Sequence, residues 1–342
     1  MKRLKGENKF LLDDFIMQKP FEPILKKHSI FITAIGRSAL GSFSRILPQM
    51  IKDCHGVHEP DVLWFYRITG LVKDDPLLLR KIRDFGFFNM TIGKLLPLRN
   101  LRGLSLALQM GKIDTTTAAY HLYKIRWHYV LRLKESIYAE CNSQLAGLLD
   151  IIPLVFPNSK TVCIIRDGRS WVRSFLNRVP TLMGKKDLMT YVPYSRPRAD
   201  LFPEDPFFRQ WKNFSQFQRV CWLWRYRASS VLKSSSLNSN VKFIKYEDLL
   251  EGTQQYETME EMLKYLSSFP DGFQADYKFC KENIFGKKIG QSQFSIIPHW
   301  KEWTPERVKQ FQDICGEMQN RLDYGREHQW LEMKANCKPT EN

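Results

Sequence analysis

The chain has 342 residues, 43% of them hydrophobic and 26% charged, so it has enough apolar surface to offset the entropy of ordering a large core, which excludes disorder along its whole length. Lys and Arg outnumber Asp and Glu by 52 to 36, and the net charge of +16 favours anionic partners: polyphosphates, sulfated or phosphorylated small molecules, acidic lipid or nucleic acid. The 7 cysteines form no CxxC pair, Met1 to Lys26 has charges every few residues and no apolar leader core, and no uncharged run reaches the ~18 residues of a membrane span; a soluble, cytoplasmic protein with free thiols is expected.

Residues 1–27 read as an N-terminal extension, 28–330 as a single α/β domain and 331–342 as a tail. A first strand is expected over 29–35 (SIFITAI), then a loop with Gly36 and Gly41, then a helix over 42–52. Residues 67–126 read as a helical insertion carrying 11 basic against 4 acidic residues. A second strand is expected over 128–133 (HYVLRL) and a helix over 136–152. The third strand is expected over 161–165 (TVCII) and the fourth over 241–244 (VKFI), with a Pro-rich loop over 184–206 between them. The runs are nearly continuous rather than alternating, as in strands covered on both faces. Alternation of strands and helices implies three layers around a parallel sheet. Ligands then bind at the carboxyl ends of the strands, and both insertions are expected over those ends.

Two strand–loop–helix segments bear on chemistry. FITAIGRSALGSFSRIL runs from an apolar strand through Gly36 and Gly41 into a helix with Ser42 and Ser44 in its first turn. Such a loop aims backbone N–H groups and a helix N-terminus at one point, and Arg37 adds a positive charge. The alternative is a plain strand-to-helix turn with glycines for geometry. The Gly36–Gly41 spacing fits a nucleotide-triphosphatase loop, but Ser42 replaces its lysine and Phe43 its Mg²⁺-holding hydroxyl, which disfavours a Mg–ATP enzyme. TVCIIRDGRSWVRS ends a strand with Arg166 and continues through Arg169 and Arg173 to Ser174. Arg166 would lie at the ligand-binding edge, with Ser174 one or two helical turns on; a solvated basic helix start capped by Asp167 is the competing reading.

Together these segments resemble the sulfotransferase family that uses 3'-phosphoadenosine 5'-phosphosulfate. Members carry a [KR]SGTT-type loop after a strand, and later a strand ending in RDxRDxxxS. Arg37-Ser38 matches the start of the first, and Arg166 with Ser174 matches the second. FPNSK before the third strand, VKFIKYEDLL around the fourth, and HWKEWTPE through RLDY near the end resemble further family segments, so the likeness runs from about residue 29 to 325. It is nearer to bacterial and carbohydrate-type members. The resemblance implies a P-loop-like fold in which helical insertions form the acceptor site. It also implies that Arg37, Ser38, Ala39, Leu40, Gly41 and Ser42 hold the 5'-phosphosulfate, and that Arg166 and Ser174 hold the 3'-phosphate. The family's Gly-Thr-Thr is here Ala39-Leu40-Gly41, so hydroxyls must come from Ser38 and Ser42.

An acceptor hydroxyl needs a general base. Lys134, in LKES, matches a family lysine near the transferring sulfate, and a surface lysine is the plain alternative. Relatives place a histidine two residues on, where this chain has Ser136. Glu59 in His58-Glu59-Pro60 is therefore the expected base, with His58 second and Glu135 a further option. Trp171 and Trp224 are candidates to support an adenine or to be core, and Lys287, Lys288 and His299 to close over the 3'-phosphate. Cys54, His55 and His58 lack a fourth metal ligand, so no metal is expected. The acceptor reads as a glycan, lipid or small molecule, with contact to an anionic membrane surface left open. The oligomeric state is not legible. Alternatives are a kinase with an atypical phosphate loop or a basic nucleic-acid-binding protein, although no helix–turn–helix, zinc-finger or RNP signature occurs.

Overall fold

The computed structural model describes residues 22–36, 39–62, 76–279 and 295–337. His28–Ala34 (β1), Cys54–His58 (β2), Ile137–Cys141 (β3), Ser159–Ile165 (β4) and Val241–Lys245 (β5) form one sheet. All its pairs are parallel and its order is β2-β3-β1-β4-β5. β1 and β4 pair from Ser29 opposite Ser159 to Ala34 opposite Ile164, so their carboxyl ends lie side by side. From β1 the chain crosses toward β2 on one side, and from β4 toward β5 on the other. Outgoing connections that part in this way leave a crevice at the strand ends.

The longer helices are Leu40–Met50 (α1), Pro76–Phe85 (α2), Leu101–Gln109 (α3), Thr115–Leu131 (α4), Gly168–Leu176 (α5), Gln216–Leu237 (α6), Gln255–Leu266 (α7), Pro305–Arg321 (α8) and His328–Ala335 (α9). Ile30, Ile32 and Ala34 of β1 join Val162 and Ile164 of β4 in a core with α1 and α7. Phe31, Tyr138, Cys163 and Ile165 face the other way, into a core with α3, α4, α5, α6 and α8. β1 is buried from Ser29 to Ala34 and so anchors both layers. Each large apolar side chain so buried contributes about 1.5–3 kcal/mol. Side-chain caps fix several helix starts: Asp114 for α4, Thr304 for α8, and a reciprocal Ser215–Gln218 box for α6. Among the described residues, no helix is long and apolar enough to cross a membrane.

The three-layer parallel α/β class is the one the sequence predicts, and β1, β4 and β5 lie within a residue or two of their expected places. The strand expected over 128–133 is instead the end of α4, and the helix expected over 136–152 is β3 followed by a 3-10 turn at Ser143–Gly147. A short apolar run such as HYVLRL suits either structure, and its packing decides. In β3 (IYAEC) the buried Glu140 disguises a core strand. β2 (CHGVH) is not predicted at all. Its Gly56 lets α1 come close: a Cβ there would stand 2.2 Å from the Ser44 carbonyl oxygen. The basic segment 67–126 is more than a cover, since Leu101, Leu104, Leu122 and Tyr123 are core residues.

Candidate active site

After β1 the chain turns at Gly36, with φ 103°. A Cβ at that position would lie 2.9 Å from the Phe175 ring and 3.2 Å from Arg227 Nη1, so only glycine fits. The loop carbonyls are drawn inward. Arg227 Nη1 donates to Ile35 O at 2.8 Å, and Trp171 Nε1 to Gly36 O at 2.9 Å. Ala39, left-handed at φ 61°, opens α1, and its carbonyl accepts from the N–H groups of Ser42 (2.8 Å) and Phe43 (3.3 Å). The N–H groups of Leu40 and Gly41 meet no acceptor among the described residues. A first turn with free N–H groups favours an anion. Ser42 is half-buried there, while the Leu40 side chain packs into the core. Arg37 and Ser38 lie outside the described residues.

After β4, Trp224 Nε1 donates to Arg166 O at 2.9 Å, and Asp167 caps α5 by accepting from Arg169 N–H at 2.8 Å. The Arg166 guanidinium lies 4.2 Å from the Tyr246 ring centroid and 3.9 Å from Glu251, with 17% of its side chain exposed. Ser174 is half-buried in α5. Beside it, the Nε of Arg173 is buried with no hydrogen-bond partner among the described residues. The chain segment ending at His299 packs here, because Asn177 Oδ1 accepts from the N–H groups of Ile296 (2.9 Å) and Ile297 (2.8 Å). Burial, helped by Arg173, holds the His299 imidazole below its usual pKa. Lys287 and Lys288 lie outside the described residues. Trp171 and Trp224 are fully buried, so neither offers a face to an adenine; their indole N–H groups pin the two loops instead.

The third component hangs from β2. The ring of His58 lies against the first turn of α1, 3.7 Å from where a Gly41 Cβ would be. Glu59 follows with φ 41°, a conformation uncommon outside glycine and concentrated at functional positions. Its N–H donates to Cys141 O at 3.1 Å, and its carboxylate, in a residue only 4% exposed, accepts from Ser143 Oγ at 2.7 Å. Two residues on, Asp61 joins a buried network. Arg126 donates to Asp61 at 3.0 Å and to both oxygens of Glu140 at 2.7 and 2.8 Å, while Tyr138 and Asn142 also donate to Glu140. This network fixes the ends of β2 and β3 beneath Glu59.

Lys134 does not reach this site. It is exposed and precedes β3, at the amino edge of the sheet, where Lys27 Nζ donates to Leu133 O. The expectation fails because β3 begins at Ile137 rather than ending before Lys134. Glu135 is at the same edge, 3.6 Å from His55. Cys54, His55 and His58 do not converge: Cys54 packs in the core, His55 pairs with Tyr129 at 2.9 Å, and His58 faces α1.

Sequence reading does not single out three arginines that gather near Glu59. They are Arg102 of α3, Arg196 of the 184–206 loop and Arg227 of α6. Burial and then mutual repulsion push Arg102 and Arg227 down to about 10, with Glu59 offsetting part of the effect. Arg196 is bridged to the buried Asp187 at 2.9 Å. The sequence signals are the basic bias of 67–126 for Arg102 and the length of the 184–206 loop for Arg196; Arg227 has none.

No known family profile matches the chain, and no curated protein does. Among solved structures, a sulfotransferase domain from the curacin biosynthetic pathway is similar to it at 13% identity, covering 90% of this chain and 96% of that one, with a TM-score of 0.35. A superposition that loose carries no argument about this chain.

Proposed function

We propose that the protein is a sulfotransferase that moves a sulfuryl group from 3'-phosphoadenosine 5'-phosphosulfate to an acceptor hydroxyl or amine. The observation that carries this reading is the pair of loops at the adjacent carboxyl ends of β1 and β4, each pinned by an indole N–H. The ligand this arrangement suits has two separated anionic groups. The N–H groups of Leu40 and Gly41, with Ser42, Ala39 and the Arg37-Ser38 pair of the sequence, would hold the 5'-phosphosulfate. Arg166 and Ser174, with Lys288 of the sequence, would hold the 3'-phosphate. The buried Arg173 Nε fits an anion at this second place. A Mg–triphosphate fits poorly, because the buried Phe43 stands where a metal-holding hydroxyl is needed.

The bound carrier supplies an activated sulfuryl group with a phosphate as its leaving group. The chain itself positions and stabilises charge. Glu59, oriented by the Ser143 hydroxyl and by its bond to Cys141 O, accepts the proton from the acceptor. His58 is the second group within the same stretch.

Adenosine 3',5'-bisphosphate without Mg²⁺ should raise the melting temperature, with about 2.7 kcal/mol of stabilisation at a hundredfold excess over Kd. Arg166→Ala should weaken that binding tenfold or more, as expected for losing charge-assisted hydrogen bonds of about 1.5–3 kcal/mol. Stabilisation by Mg–ATP alone, or unchanged bisphosphate affinity in Arg166→Ala, overturns the reading.

A further inference from the structure

We propose that Arg102 and Arg227, backed by Arg196, form a seat for a carboxylate or sulfate carried by the acceptor, so that the acceptor is an acidic molecule held beside Glu59. This rests on the sulfotransferase reading for the word acceptor, although the anion seat stands on its own geometry.

A cavity of about 70 Å³ lies between α3, the Ser143–Gly147 turn and α6. One water needs only ~10–15 Å³ measured this way, so there is room for a small charged group. Arg102 and Arg227 are the charged side chains among its described lining residues; no carboxylate lines it. Ser105, Gln109, Ser143 and Tyr226 supply neutral polar groups around them. Gln109 is itself held in place, donating to Ser230 Oγ at 3.1 Å and accepting from the Tyr226 hydroxyl. Charged guanidinium groups facing a concave wall of fixed dipoles are the usual construction of an anion site.

Arg102 carries the surplus charge. It is half-buried, and it makes no hydrogen bond or ion pair to any described residue. The carboxylates nearby are already engaged. Asp187 accepts from Arg196 at 2.9 Å and from the N–H groups of Met183 (2.9 Å) and Met189 (3.2 Å). Glu59 accepts from Ser143 at 2.7 Å. Three arginines against two carboxylates leave a surplus of one positive charge in a partly dehydrated place. Burying a charge without a partner is costly, and an incoming anion removes that cost. Ser143 gives the seat its function: it lines the cavity and hydrogen-bonds Glu59, so an anion bound there lies one side chain from the base. A hydroxyl on the same acceptor is thereby brought to Glu59.

The test is calorimetric titration of the full chain, saturated with adenosine 3',5'-bisphosphate, with inorganic sulfate. Wild type should bind sulfate saturably. Arg102→Gln should bind it roughly tenfold more weakly or worse, as for a lost charge-assisted contact, with Arg102→Lys in between. Bisphosphate affinity should be unchanged in both variants. In crystals soaked with selenate, anomalous density should appear between Arg102 and Arg227. Non-saturable sulfate binding, equal affinity in wild type and Arg102→Gln, or selenate only elsewhere overturns the proposal. If the bisphosphate fails to bind while sulfate still depends on Arg102, the sulfotransferase reading falls and the anion seat remains.

Discussion

Arg126 and Arg169 are among the most deeply buried side chains in the protein, and both are surrounded by partners. Arg126 donates to Asp61 and Glu140. Arg169 donates to Asp167 and Glu327, and its guanidinium lies 4.3 Å from the Trp300 ring centroid and 4.9 Å from that of Trp330. Arg102 and Arg227 are less buried and yet far less compensated: Arg102 has no hydrogen bond or ion pair among the described residues, and Arg227 is bonded to a carbonyl. The two pairs carry the same chemical group with unequal charge compensation: carboxylates bond Arg126 and Arg169, although Arg126 Nη1 has no partner among the described residues, and no described carboxylate bonds Arg102 or Arg227. Where carboxylates were placed around a guanidinium, its charge holds elements together. Where they were not, its charge remains available to something that arrives from outside.

The sharpest way to break this contrast is at Arg126. Burial works against its charge, but Asp61 and Glu140 more than offset it and hold the guanidinium protonated. Arg126→Met strands two buried carboxylates and should cost about 3–5 kcal/mol, read as a loss of midpoint in denaturant unfolding. Adding Glu140→Gln should recover part of that loss, because one uncompensated charge goes with it. A loss below about 1 kcal/mol, within the ordinary effect of a surface change, would mean the network contributes little and that pairing is no guide to role.

The next effect belongs to the site itself. Glu59→Gln keeps an acceptor for the Ser143 hydroxyl and so should leave bisphosphate affinity nearly unchanged. Turnover should fall about a hundredfold or more, the range for removing a general base. The loss should appear in kcat rather than in carrier binding. Unchanged turnover would move the proton-accepting role to His58, whose ring lies against the first turn of α1.

The difference between the two arginine pairs also explains what could be read without coordinates. The loops after β1 and β4 are legible because each is local: strand, turn and helix are contiguous, and Gly36 or Asp167 marks the turn. Glu59 was legible as a residue although the strand before it was not. β2 hides because CHGVH is half-exposed and lacks a β-branched run, and β3 because Glu140 interrupts an apolar pattern in order to meet Arg126. Misplacing β3 then carried Lys134 to the wrong edge of the sheet. The cluster near Glu59 was invisible for a different reason. Arg102, Arg196 and Arg227 come from three separate segments, and only the packing of α3, the long loop and α6 brings them within electrostatic reach. A net charge of +16 does not say where on the chain such a cluster lies.

The smallest expected effect is the most discriminating. Burial first, and repulsion from Arg196 second, lower the Arg102 pKa to about 10, below the ordinary guanidinium value. The unfolded chain therefore holds that proton more tightly than the folded one. The charge opposes folding at every pH below about 10, and the penalty would be relieved only as pH rises from about 10 toward the ordinary guanidinium value. Arg102 keeps part of its surface in solvent, which screens the penalty in part. Arg102→Gln at pH 7 should accordingly leave the melting temperature unchanged or raise it slightly, the opposite of what Arg126→Met does. With adenosine 3',5'-bisphosphate saturating, added sulfate should stabilise the wild type more than the variant. A loss of 1 kcal/mol or more in Arg102→Gln without any anion would place Arg102 beside Arg126 and Arg169 as a strut of the fold, and the distinction between the two kinds of arginine would be gone.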